Sequence, residues 1–246
     1  MSSLDVQLLI VQYSLEDCPL LPLALSHLLH SPVPPPEVAF RYSTYLQSKD
    51  PAQTRFRDAC RAGDLYIIQW LTHEFNLTTE DARSEDNSAF RKAARNGHLQ
   101  VLKWLTQKFQ LTGEDARADD NYALRWAAEN GHLEVLQWVT HEFKLTGEDA
   151  RQLSNDALRS AAQNGHLKVL RWLTEKFKLT GVDARAAGNN AFQCAAYNGH
   201  LHVLQWLTKE FKMTGVDARA YDHWAFECAA QNGHLNVVQW LNDEFY

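Results

Sequence analysis

The sequence predicts an all-α repeat solenoid, and three observations carry that prediction. One unit of 34 residues recurs, so that Asn130-Gly131-His132-Leu133 reappears at Asn96, Asn164, Asn198 and Asn232, each 34 positions from the next, with an older copy at Ala62-Gly63-Asp64-Leu65. Each copy carries apolar stripes at helical spacing on both sides of that glycine. No run of nucleophile, base or phosphate-cradling glycines lies between the copies. Such a chain offers a surface for holding another molecule rather than a reaction centre.

The 246 residues are 45% apolar, enough for a buried core. The formal charge is -6, of which residues 1–52 carry -3 through Asp5, Glu16, Asp17, Glu37 and Asp50 against Arg41 and Lys49. That balance argues against nucleic acid as a partner, because phosphate binding needs a net basic face. Cys18, Cys60, Cys194 and Cys228 form no C-x-x-C pair and no dense framework, as expected of a reducing compartment. The start carries no early positive charge and is soon interrupted by acids, unlike a secretion signal, and no apolar run approaches a membrane span. The expected location is intracellular, cytoplasmic or nuclear, with no membrane contact.

Residues 1–52 stand outside the repeat. Residues 6–13 form a short apolar stretch and residues 20–30 read as a second short helix. The proline-rich Ser31-Pro32-Val33-Pro34-Pro35-Pro36 must then leave the helical region, and a third helix starts at Glu37. The expected role is a helical leader or cap that shields the apolar end of the first repeat. The alternative is a recruiting module. Leu21-Pro22 followed by Leu25, Leu28 and Leu29 resembles the opening of an F-box, a motif that docks proteins onto ubiquitin ligases. On that reading the chain is a substrate adaptor.

Six copies, at 54–87, 88–121, 122–155, 156–189, 190–223 and 224–246, allow positions to be compared within the chain. With Tyr122 as the first column, columns two, three, six and seven stay small or apolar: Ala123, Leu124, Ala127 and Ala128 match Ala89, Phe90, Ala93 and Ala94. They share one helical stripe, and the alanines let a neighbouring helix approach closely. Asn87, Asn121, Asn155 and Asn189 precede this helix, where an amide oxygen is expected to accept from free backbone N–H groups. The Asn-Gly pair ends it, the glycine taking a left-handed conformation.

A second helix then spans about 133–143, with Val135, Leu136, Val139 and Phe143 on one face and Trp138 at its edge. Its equivalents Trp70, Trp104, Trp172, Trp206 and Trp240 predict six indoles running down the stack, each packed on its neighbour. The third piece, Thr146-Gly147-Glu148-Asp149-Ala150-Arg151, pairs a threonine with an acid three places on, which predicts a reciprocal cap and one short helical turn. The closing arginines Arg83, Arg117, Arg151, Arg185 and Arg219 are expected to make internal ion pairs, with the aspartate two residues earlier as the nearest partner, or carbonyl contacts.

The helical hairpin A-L-R-W-A-A-E-N-G-H-L-E-V-L is similar to the ankyrin repeat, over residues 54–245, and this variant resembles arrays common in amoebal giant viruses and protists. The usual T-P-L-H start is replaced by Y-A-L-R and its variants, the hairpin region is shorter, and the segment after the second helix is longer. The β fingers of the family are therefore expected to be short or absent. The resemblance implies a hydrogen-bonding role at the turn for His98, His132, His166, His200 and His234.

Little points to chemistry. Cys194 and Cys228 occupy the same column of adjacent copies, so helix packing at roughly 8–10 Å holds them beyond the roughly 4.4–6.8 Å of a disulfide. His200-x-His202 is the one close histidine pair, and His202 sits in a column of solvated residues. No catalytic, cofactor or metal site is expected. Columns one, five and eight of the first helix vary between copies, as do the connecting residues, and by resemblance these line the concave groove. Exposed aromatics anchor interfaces, which selects Tyr122, Trp126, Tyr197, Tyr221 and Trp224 as contacts to a protein partner. Tyr122 and Trp126 have a competing role as packing between adjacent repeats. The sixth copy ends before its third piece, which leaves a further expectation of self-association through the C-terminal repeat.

Overall fold

The computed structural model describes residues 51–245, so the leader helices and the F-box-like segment lie outside the described residues. Within them the chain forms fourteen helices and no strand. In order these are α1 (Ala52–Ala62), α2 (Leu65–Glu74), α3 (Thr79–Arg95), α4 (Leu99–Phe109), α5 (Gly113–Glu129), α6 (Leu133–Glu142) and α7 (Gly147–Gln163). They continue with α8 (Leu167–Phe177), α9 (Gly181–Ala184), α10 (Ala186–Tyr197), α11 (Leu201–Phe211), α12 (Gly215–Ala218), α13 (Ala220–Gln231) and α14 (Leu235–Phe245).

The helices stack as two layers. The first helices α1, α3, α5, α7, α10 and α13 pack successively on one another, and each also packs on the second helix that follows it. Ala123, Leu124, Ala127 and Ala128 are buried, as are Ala157, Leu158, Ala161 and Ala162, so the alanine-rich stripe is what lets the first helices meet. Val135, Leu136, Val139 and Phe143 are buried from the second layer. One continuous apolar core runs the length of the described chain.

The turn between the two helices follows the sequence closely. Gly131 has φ 75, and its counterparts lie between 74 and 79. Asn130 Nδ2 donates to the Trp126 carbonyl at 2.8 Å, and Asn96, Asn164, Asn198 and Asn232 make the same bond, closing the helix end. The reciprocal caps are also as expected: all five Thr/Asp boxes form, and the Thr146 N–H reaches Asp149 at 2.7 Å.

Three details differ from the sequence reading. Asn87, Asn121, Asn155 and Asn189 do not cap; each sits at φ between 58 and 63 with its side-chain Oδ1 buried and without a hydrogen-bond partner. They close a linker in which three successive residues are left-handed, Asp119, Asp120 and Asn121 in α5 for example, after the extended Ala118. The indoles find their edge-on ring contact within their own repeat, on the phenylalanine five residues on. Trp138 meets Phe143 at 5.8 Å, and Trp104, Trp172, Trp206 and Trp240 repeat the geometry. Phenylalanines instead cross between repeats, Phe90 to Phe143 at 5.6 Å and Phe56 to Phe109 at 5.9 Å.

The arginines make the internal ion pairs and carbonyl contacts expected of them, and the third difference lies in which aspartate they meet. Their carboxylate partner is the aspartate 32 residues on, in the next repeat, rather than the one two residues earlier. Arg83 pairs with Asp115, Arg117 with Asp149, Arg151 with Asp183 and Arg185 with Asp217, each through a bidentate fork at 2.7–2.8 Å from Nε. The cap is local, but its oxygens have capacity for a second donor, and stacking brings the preceding arginine there. Arg219 donates to the Phe245 carbonyl at 3.0 Å.

Candidate functional site

The varied columns of the first helices and the left-handed linkers lie along one side of the stack. Two of the linkers are held by a column that sequence reasoning passed over, the fourth: Arg57, Arg91, Arg125 and Arg159, followed by Gln193 and Glu227. Arg125 donates to the carbonyls of Asp119 and Asp120 at 3.0 and 2.8 Å and pairs with Asp156 of the next repeat at 3.0 Å. Arg91 likewise reaches the Glu85 carbonyl at 2.9 Å and pairs with Asp119. Arg91 and Arg125 thus satisfy linker carbonyls that the left-handed turn leaves outside any ladder and tie the linker to the next repeat, whereas Arg57 reaches the Ser84 hydroxyl and the Glu85 carboxylate, and Arg159 bonds Asp156 and Gln163 of its own helix. The signal was present as four arginines at one spacing.

A second set of bonds stitches the turns. His200 Nε2 lies 2.9 Å from the Gln163 carbonyl and His234 Nε2 2.9 Å from that of Tyr197, while His98 reaches Arg61 at 2.9 Å. Burial pushes His132 and His200 below the usual imidazole range, with the carbonyl bond opposing it. His202 Nε2 is 3.0 Å from the Gly165 carbonyl. The aspartates of the ladder behave coherently. Burial alone would raise Asp115, Asp149, Asp183 and Asp217, but the arginine of the preceding repeat and the threonine N–H more than offset it and hold each below the usual carboxylate range.

The five aromatic candidates separate into two groups. Tyr122 and Trp126, one turn apart on α5, are half-buried and stacked at 5.0 Å with 25° between planes. Their faces are already engaged, the Arg91 guanidinium 4.5 Å over Tyr122 and that of Arg95 3.8 Å over Trp126. Tyr197 and Trp224 come from successive first helices, α10 and α13, and stack nearly parallel at 6.2 Å and 17°. They are 46% and 36% exposed, and Tyr221 on the adjoining linker is 67% exposed, so these three present aromatic surface to solvent. Other varied positions are interior: Asp156, Ser160 and Cys228 are buried, because first helices pack closely there.

Among the described residues no group of His, Cys, Asp and Glu could hold a metal ion, and no helix is long and apolar enough to cross a membrane. Cys60, Cys194 and Cys228 are free thiols pushed up by burial.

This architecture defines a helical-hairpin repeat protein. The family model described as ankyrin repeats, three copies, matches residues 56–149, 141–217 and 158–245, and the chain belongs to that family. No curated protein matches the chain. Ankyrin repeats generally serve as protein–protein interaction modules.

Proposed function

We propose that this chain is a non-catalytic scaffold whose repeats, residues 53–246, bind a protein through the face formed by the first helices and their linkers. The observation that supports this most is the Tyr197–Trp224 stack with Tyr221 beside it, large aromatic area left in water. Rigid, partly exposed aromatics are the side chains that anchor interfaces. Columns two, three, six and seven are uniform because they pack; columns one, five and eight differ from repeat to repeat, which suits recognition of one extended, irregular target. Tyr122 and Trp126 extend the same face through their edges.

The test is quantitative affinity capture from the native host with the full chain and with Tyr197→Ala/Trp224→Ala, after circular dichroism shows equal helix content. Specific partners should be depleted from the variant. An unaltered set of captured proteins would sink the reading.

A further inference from the structure

We propose that the N-terminal half of this face recognises an acidic peptide segment of the partner, through a cationic cleft between α1, α3 and α5. The inference rests on the protein-binding reading above and names the chemistry of one end of the contact.

A cavity of about 470 Å³ opens there, lined by Arg61, Arg91, Lys92, Arg95 and Tyr122, with Asn96 and Asn130 at its edge. Four cations converge in a chain whose net charge is -6. The carboxylates paired with them are two: Asp58, 3.5 Å from Arg61 and 3.9 Å from Lys92, and Asp119 on Arg91. Arg95 lies on Trp126 and has no carboxylate partner among the described residues. Two positive charges therefore remain for a ligand.

The arginines are also oriented. Arg91 rests on Tyr122 with its N–H groups spent on Asp119 and the Glu85 carbonyl, whereas Arg95 rests with one guanidinium face on Trp126, which restricts it and leaves its N–H edge for a bidentate acceptor. Asn96 and Asn130 spend their Nδ2 groups on their own helix carbonyls, at 2.8 Å, leaving each Oδ1 as an acceptor. Acceptors beside cations suit a peptide, which brings backbone N–H groups along with its carboxylates. A DNA strand offers no hydrogen-bond donor on its backbone, and two residual charges are few for any nucleic acid. The cations are local. The equivalents of Arg91, Lys92 and Arg95 are Arg125, Trp126 and Glu129, then Arg159, Ser160 and Gln163, then Gln193, Cys194 and Tyr197, then Glu227, Cys228 and Gln231, so no other repeat carries three cations there. The face thus runs from cationic at α1–α5 to aromatic at α10–α13.

The experiment titrates the full chain into a short fluorescent peptide of alternating glutamate and alanine, reading anisotropy. The controls are its glutamine counterpart and a labelled oligothymidylate. The glutamate peptide should bind, weaken with added salt, and lose at least about tenfold affinity to Arg61→Glu/Arg95→Glu, roughly 1.4 kcal/mol. Arg171→Glu, on α8 in the other layer, should leave it unchanged. Arg95→Gln serves as a milder variant should the reversal disturb folding, and should weaken binding in the same direction. Equal binding of the glutamine peptide, indifference to the arginine changes, tighter binding of the oligothymidylate or absence of glutamate-peptide binding each overturns the proposal. The two readings separate cleanly. If glutamate-peptide binding fails while Tyr197→Ala/Trp224→Ala still depletes captured partners, the acidic-segment inference falls and the interaction face stands.

Discussion

Gly165 tests whether the turns are stitched as the geometry requires. Its φ is 74, a region that costs an L-residue about 1–2 kcal/mol. A Cβ there would also lie 2.8 Å from Nδ1, 2.9 Å from Cε1 and 3.1 Å from Cγ of His200. The backbone cannot yield easily, since the His166 N–H donates to Ala161 at 2.9 Å, the Leu167 N–H to Gly165 at 3.0 Å, and His202 holds the Gly165 carbonyl. The His200 ring must move, which strains its rotamer by about 0.5–1.5 kcal/mol and breaks the bond to Gln163, worth about as much again. Gly165→Ala should therefore cost about 2–5 kcal/mol in the native background and about 1–2 kcal/mol in a His200→Ala background. Urea unfolding followed by far-ultraviolet circular dichroism, run as a double-mutant cycle, reads the difference. Equal cost in both backgrounds would refute the steric argument. Gly233, with the same φ of 74 and, among the described residues, no atom within 4 Å of its added Cβ, supplies a site where only the backbone penalty acts.

Further expectations follow from the columns. Leu136→Ala, at a site with 0% exposure, should cost about 2–5 kcal/mol in the same unfolding assay; a change within error would remove that column from the core. Asp149→Ala removes both a cap and the Arg117 fork and should cost about 2–3 kcal/mol. Asp81→Ala, which has Gln53 in place of the arginine, should cost about 1 kcal/mol. Acid should destabilise the protein in two steps, because in both groups the folded pKa lies below the unfolded one. The His132 and His200 contribution is complete above about pH 6.5 and lost beneath it, and that of the ladder aspartates is complete above about pH 3.9 and lost as pH falls through their depressed folded values. Stability that stays flat on acidification through both windows would contradict this. Arg125→Met should speed amide hydrogen exchange at residues 118–121 by releasing two carbonyl bonds and an ion pair, with little change at residues 133–142.

The repeat period, the two helices, their glycine turn and the threonine caps were legible because each is local: a residue type at a fixed spacing dictates the bond it makes. The arginine partners were not. Asp115 satisfies Thr112 within its own turn, and nothing in its neighbourhood shows that Arg83 arrives from 32 residues earlier. The linkers were harder still. Asp119-Asp120-Asn121 favours left-handed backbone, but Leu153 at φ 49 and Tyr221 at φ 53 do not, and they adopt it because the stacked scaffold on both sides fixes their ends. Of the aromatic face, the sequence could place residues on columns but could not see that Arg91 and Arg95 would cover Tyr122 and Trp126, since that depends on the close approach of α3 to α5.

The central claim is that one face of the stack, and not the other, meets a partner. Hydrogen–deuterium exchange of the full chain, alone and with a partner recovered by capture, tests it directly. Slowed exchange should fall on the peptides containing Tyr122–Trp126, Tyr197 and Tyr221–Trp224, while α4, α6, α8 and α11 exchange as before. Protection confined to those second helices would contradict the account.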